Sequence, residues 1–430
     1  MCPAFLRNFN ESVIWGDSGG MSGRSLRVLI ASIAGITAGV MILATGTAIA
    51  TTTCNKVASP AGSDSAVGTA AAPYRTVTRL VAVLSSGQTG CLRTGTYTSN
   101  VTISTPNVTL TSYPGERATL KGVLYVSRTG TGVTVSSLNL DGKNSDPNAP
   151  SPQVMASDVT FSGNDVSNEN SAICFIVGSA TYGHANNVVI ENNDIHNCGV
   201  LPAAGHDHGI YIEDATGTIV RGNWIHNNAD WGVHIYPNGD HSLVTGNVID
   251  SNGRGVIFAG SGGQTSDYNV VEHNIITNSL RGYNADSSWD TVGVGNVLRD
   301  NCIKGASSGY AGPDGSGIER PQRGFTATDN LIADPLYVDA AHGDYNLKPA
   351  STCASILAGA NVDPSTGPVN TPPGSSQPSQ PSESSEPSEP SGNPTPGGAP
   401  TSPVQHTHNH KNKKKRKRAY TRRALNQRGA

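Results

Sequence analysis

The chain has 430 residues, of which 14% are charged and 5% aromatic, with 50 glycines and a formal net charge of -3. That balance argues against a helical globular protein, which carries more Glu, Lys and Leu, and favours turn-rich β structure. The charge is uneven: the C-terminal end is strongly basic and the body correspondingly acidic, so the body gives no reason to expect nucleic acid.

Residues 1–20 lack the character of an export signal, and Met21 is the better start. Residues 21–50 read as a signal peptide. Arg24 and Arg27 precede the apolar run Val28 to Ala50, which closes on the small-x-small site Ala48-Ile49-Ala50. The run could also span a bilayer as an uncleaved anchor, but its Gly, Ser and Thr content favours cleavage. The protein is therefore expected to be secreted or held at the cell surface. Cysteine usage agrees: Cys54, Cys91, Cys174, Cys198, Cys302 and Cys353 make an even set outside the cytosol. Pairing sequence neighbours (54 with 91, 174 with 198, 302 with 353) is the simplest arrangement. No CxxC spacing suggests zinc, and His406, His408 and His410 in the tail would hold a metal only weakly.

From about residue 74 the chain alternates apolar and polar residues in short runs such as VTISTPNVTLTSYPGERATL, with turn residues between them. Further on, an Asn-x-Ile-like motif recurs at Asn164, Asn193, Asn223, Asn247, Asn274, Asn301 and Asn330. The spacings of 29, 30, 24, 27, 27 and 29 residues mark a solenoid whose loops vary in length around a constant rung. Asn tolerates left-handed backbone and forms side-chain ladders when stacked, so these positions are structural rather than catalytic. Roughly ten rungs of a coiled parallel stack are expected, with equivalent residues ~4.8 Å apart.

The opening stretch GSDSAVGTAAAPYRTVTRLVAVLSSGQTGCLRTGTY resembles the start of many secreted parallel β-helix proteins, relatives of pectate lyases, and DPLYVDAAHGDYNLKPAS resembles their closing segment. The resemblance covers about residues 60–360. It implies an all-β, right-handed parallel β-helix solenoid (residues 96–361) with an N-terminal cap region (51–95). A short amphipathic helix, about Thr76 to Leu84, would cap the first rung. This architecture hosts lyases, hydrolases, epimerases and inert adhesins, so the resemblance speaks to fold more than to chemistry.

Past the solenoid, residues 362–403 are a Pro/Ser/Gly-rich linker, and residues 404–430 form a basic tail expected to stay disordered. On an exported chain such a tail would grip an anionic cell-surface polymer; the plain alternative is solubility alone.

Aligning Gly209, Gly232, Gly255 and Gly282 as strand openings places Ile210, Val233, Val256 and Tyr283 in one inward column. Ile212, Ile235, Phe258 and Ala285 fill the next. The columns between them should face solvent, one holding Tyr211, His234, Ile257 and Asn284, the other Glu213, Tyr236, Ala259 and Asp286. His208, Trp231, Arg254 and Arg281 lie just before these strands. Singly, each polar residue here has an ordinary structural explanation; together they make a candidate site. His208, Tyr211, His234 and Arg254 are its candidate catalytic residues, because His and Tyr move protons and Arg neutralises a carboxylate. His206, Glu213, Trp231 and Tyr236 would bind substrate, and Asp207 and Asp230 could hold calcium. The segment GHDHGIYI resembles polygalacturonases only in a GHG-like sequence, without their NTD motif. Mannuronan epimerases carry a DPH motif where this chain has Tyr211, Ile212 and Glu213. Pectate lyases use Arg or Lys beside calcium-binding carboxylates, which Arg254, Asp207 and Asp230 echo. The expected activity is β-elimination or C5 epimerisation of an acidic polysaccharide. The alternatives are a glycoside hydrolase and a non-catalytic glycan-binding adhesin.

Overall fold

Short strands, mostly three or four residues long, coil into three parallel sheets of eleven, nine and nine strands in which each strand pairs with its counterpart one turn on. This computed structural model describes residues 53–360, apart from 145, 147, 148, 288 and 289. The leader, export segment, linker and basic tail expected from the sequence lie outside the described residues. The solenoid completes about nine turns, close to the roughly ten expected.

The cap helix spans Val77–Val83. Its N-cap is Thr76, whose hydroxyl accepts from the Arg79 N–H at 3.1 Å, and it buries Val77, Leu80 and Val81. Among the described residues no helix is long and apolar enough to cross a membrane. From the cap, one continuous apolar core runs through the solenoid to Phe325. It is filled by the inward columns, with Ile210, Val233, Val256, Ile212, Ile235 and Phe258 all within 1% of full burial.

The Asn motifs stack as a ladder. Each side-chain oxygen accepts both the backbone N–H and the side-chain Nδ2–H of the Asn one rung earlier, at 2.9–3.1 Å from Asn164 through to Asn330. Two shorter ladders, Asn228 to Asn252 and Asn269 to Asn296, satisfy other bends in the same way. Every neighbour pairing of cysteines is realised: Cys54–Cys91, Cys174–Cys198 and Cys302–Cys353. The last of these fastens the closing segment. There the strands Tyr337–Asp339 and Asp344–Leu347 pair antiparallel, and Tyr345 packs against Trp224, Val248 and Ile275 on the outside of one nine-stranded sheet.

Two expectations are corrected. The register is as expected over the strands Ile210–Thr216, Trp231–Asp240 and Arg254–Phe258, with Tyr211 opposite His234 and His234 opposite Ile257. One turn later Val256 pairs with Ala285, not Tyr283, so Asp286 rather than Asn284 continues the Tyr211 column. Gly282 does not open a strand. A side chain there would collide with Arg254, because the backbone at Gly282 runs against that side chain. The second correction concerns exposure. His234, expected to face solvent, is 1% exposed, and Trp231 and His208, expected to meet substrate from just before their strands, are 0% and 1% exposed. Outside the sheet Trp231, Ile257 and Ala259 form a third apolar cluster with Tyr236 against it. The loop before the Ile210 strand is tied down over this face by Arg281, whose Nη1 donates to the Ala203 carbonyl at 3.2 Å.

Candidate functional site

Strand alternation sets the outward residues of Ile210–Thr216: Tyr211 and Glu213 are half-buried, with Ile212 buried between them. The register then slips. Val177 faces Ile212 while Gly178 faces Asp214, so Glu213 is an inserted residue against the Phe175–Gly178 strand. On the other side Ile212 faces Ile235 and Asp214 faces Asn238, so Tyr236 and Pro237 stand against Glu213 alone. Successive bulges of this kind bend the strand and re-aim its side chains.

The aromatic rings stack across the rungs. Trp231 lies 4.9 Å from His234 between ring centroids, and His234 lies 5.2 Å from both Tyr211 and Tyr236, all at shallow interplanar angles. His208 meets His234 edge-on, with His208 Nε2 2.6 Å from His234 Nδ1. One of these nitrogens must donate and the other accept, so one N–H proton lies between the two imidazoles. Burial pushes both imidazoles well below their ordinary value; His206 and Arg254 add to the effect in both, and in His208 the neighbouring His234 does too. The pair is therefore uncharged at neutral pH. His208 Nδ1 is buried with no hydrogen-bond partner among the described residues.

Arg254 lies flat on the Trp231 ring, its guanidinium carbon 4.3 Å from the centroid, with its side chain 29% exposed. It shares Asp230 with Arg281, at 3.8 and 3.3 Å. Burial pushes the Asp230 carboxyl up to about 6 against the pull of both guanidiniums. Beneath Trp231, Asp286 Oδ1 accepts the indole N–H at 2.9 Å, and burial pushes that carboxyl up to about 7.

Of the expected residues, the fold brings His208, Tyr211, Trp231, His234, Tyr236, Asp230 and Arg254 into one cluster. Glu213 stands beside it in the bulge. His206 is exposed on the covering loop and acts on the imidazoles through its charge. Asp207 spends its carboxylate on that loop, accepting from the Val200 and Ala204 backbone N–H groups at 3.0 and 2.9 Å. Asp230 faces two arginines. Calcium at these two carboxylates would have to displace both sets of contacts, and no cluster of three or more His, Cys, Asp or Glu residues with metal-binding geometry occurs among the described residues. The donor set does not fit a metal.

A family model described as "Right handed beta helix region" matches residues 92–279 and 156–334. The chain belongs to this right-handed β-helix family. No curated protein matches it significantly. Among solved structures it is similar to pectate lyase Pel9A, at 14% identity and a TM-score of 0.45 over 70% of this chain and 91% of that one. It is similar to a rhamnogalacturonan lyase at 11% identity and 0.44, over 70% and 97%. It is also similar to the Azotobacter vinelandii mannuronan C-5 epimerase AlgE4 A-module at 15% and 0.29, over 57% and 86%. Identity this low transfers no chemistry to the β-helix protein described here.

Two members of this site escape a reading of the sequence as a site. Asp286 joins the Tyr211 column only through the corrected register. Arg281 sits in an aligned position, but its reach to Asp230 and to the covering loop depends on loop geometry. The only sequence signal for either is a charged residue beside a strand opening, which is common on solvated surfaces.

Proposed function

We propose that this β-helix protein acts on an acidic polysaccharide by removing the proton alpha to a uronate carboxylate, ending in β-elimination or C5 epimerisation. One observation carries the reading: the half-buried Tyr211 ring rests on an uncharged, hydrogen-bonded imidazole pair, on the same sheet face as a partly exposed guanidinium laid on Trp231. Proton abstraction alpha to a carboxylate needs a proton-transfer group and a cation near one sugar ring. Arg254 supplies the cation, and its planar fork suits a carboxylate. Because His208 and His234 are buried, Tyr211 is the group that meets the sugar, and its phenol oxygen is the atom placed to take the alpha proton. Tyr236 extends the surface on which a ring can lie.

The test is product analysis on alginate, pectate and glycosaminoglycans, looking for unsaturated uronate absorbance or C5 inversion by NMR. Tyr211→Phe should lower turnover about a hundredfold or more, in line with acid–base contributions, with folding unchanged. Arg254→Ala should weaken uronate binding and leave neutral glycans alone, and a chelator should change nothing. Binding to acidic glycans with no turnover of any of them would leave the adhesin reading standing instead.

A further inference from the structure

Elimination breaks a C–O bond, and the departing oxygen needs a proton at neutral pH. Glu213 has the placement for that task. Alternation turns it to the same face as Tyr211, and the double bulge sets it opposite Tyr236 and Pro237 rather than in the regular ladder. Its neighbour Asp214 is held by two side chains: Asn238 Nδ2 donates to Asp214 Oδ1 at 2.6 Å, and His184 Nδ1 lies 3.0 Å from the same oxygen. No donor among the described residues reaches the Glu213 carboxylate. A carboxyl that is half-buried, lacks donors and lies beside a second carboxylate favours its neutral form.

We infer that Glu213 is the proton donor of this site, delivering its proton to the glycosidic oxygen of a sugar chain lying across Tyr211 and Tyr236. This rests on the reading above. As the base takes the alpha proton from C5, the C–H electrons form the C4–C5 double bond and the C4–O bond breaks with its electrons on oxygen. That oxygen takes the proton from the Glu213 carboxyl, and water restores it. Burial, with Asp214 next, pushes the Glu213 carboxyl up to about 7, so an acid persists to neutral pH. Other titratable groups lie on the elements packed against this strand: His184 before the Ala185–Asn186 strand, and His234 and Tyr236 on Trp231–Asp240. Of the charged neighbours, only Asp214 contributes to the shift.

The experiment compares the full-length protein with its Glu213→Gln and Asp214→Asn variants on alginate, pectate, glycosaminoglycans and neutral xylan, recording kcat and KM against pH. Wild-type kcat should fall above about pH 7 as the donor ionises. Glu213→Gln should lower kcat about a hundredfold with KM unchanged and abolish that alkaline limb. Asp214→Asn should keep activity and move the limb to lower pH, which a merely structural Glu213 would not produce. Normal kcat in Glu213→Gln, or an alkaline limb that survives in it, overturns the donor and leaves proton abstraction standing. Turnover of xylan alone, still dependent on Glu213, keeps the donor and sinks the uronate chemistry. Turnover of none of the four sinks both.

Discussion

Burial decides how single residues in this site respond to substitution. An outward position on a strand ordinarily tolerates change, and that logic would let His234→Ala fold like the wild type. In the folded protein His234 is packed among Trp231, Tyr211 and Tyr236 and is hydrogen-bonded to His208. Its removal leaves a cavity and a buried imidazole without its partner, a loss of roughly 1–3 kcal/mol. Thermal unfolding should show His234→Ala melting well below Tyr211→Phe, although both lose activity. Asp286 gives a pH-dependent counterpart. Its folded-state value of about 7 lies above the ordinary carboxyl value of 3.8, so the folded state holds the proton more tightly. The resulting stability is fully present below about pH 4 and is lost as pH rises towards 7. Asp286→Asn keeps an acceptor for the Trp231 indole and removes the buried charge. It should melt above the wild type at pH 8 and level with it at pH 3.5; equal melting at both would show that Asp286 is not destabilised by ionising.

At the scale of elements, the bends hold the rungs in register. Asn247 accepts the backbone and side-chain donors of Asn223 at 2.9 Å and itself donates to Val220 O, Thr245 O and Asn274 Oδ1. Asn247→Ala strips the buried Asn223 donors of their acceptor. Two orphaned groups at about 1–3 kcal/mol each place the loss on the order of 3 kcal/mol, measurable by denaturant titration. A loss under about 0.5 kcal/mol would mean that the ladder is ornamental. This element was legible in the sequence because a ladder Asn recurs at each bend whatever the loops do. The bulges at Glu213 and Tyr236 were not legible, because an inserted residue is defined only against the strand it fails to match.

Across the whole molecule, the closing segment is bound to a different sheet from the site. The Cys302–Cys353 bridge spans 51 residues and anchors the Tyr337–Leu347 hairpin over Trp224, Val248 and Ile275. A bridge of this reach contributes about 2–4 kcal/mol. Replacing both cysteines by serine should lower the melting temperature and speed proteolysis near residues 331–357. Turnover per folded molecule should not change, because the Tyr211 face lies on the other nine-stranded sheet; a fall in kcat would show the two faces to be coupled.

The sequence by itself determined the solenoid, its cap helix, the Asn ladder, the inward columns as far as Val256 and Phe258, and the cysteine pairs. Each of these follows from local periodicity or from residues that are neighbours within or between rungs. The tertiary structure alone decided which outward residues form a site. Trp231 and Asp286 bond across 55 residues, Arg281 crosses from one loop to the carbonyl of another, and a bend of unexpected length shifted the register that brings Asp286 into line. Strand alternation says only that a side chain points away from the core. Whether it then meets water or a second packed layer depends on what the loops lay over it, and that is set by contacts made only once the chain has coiled.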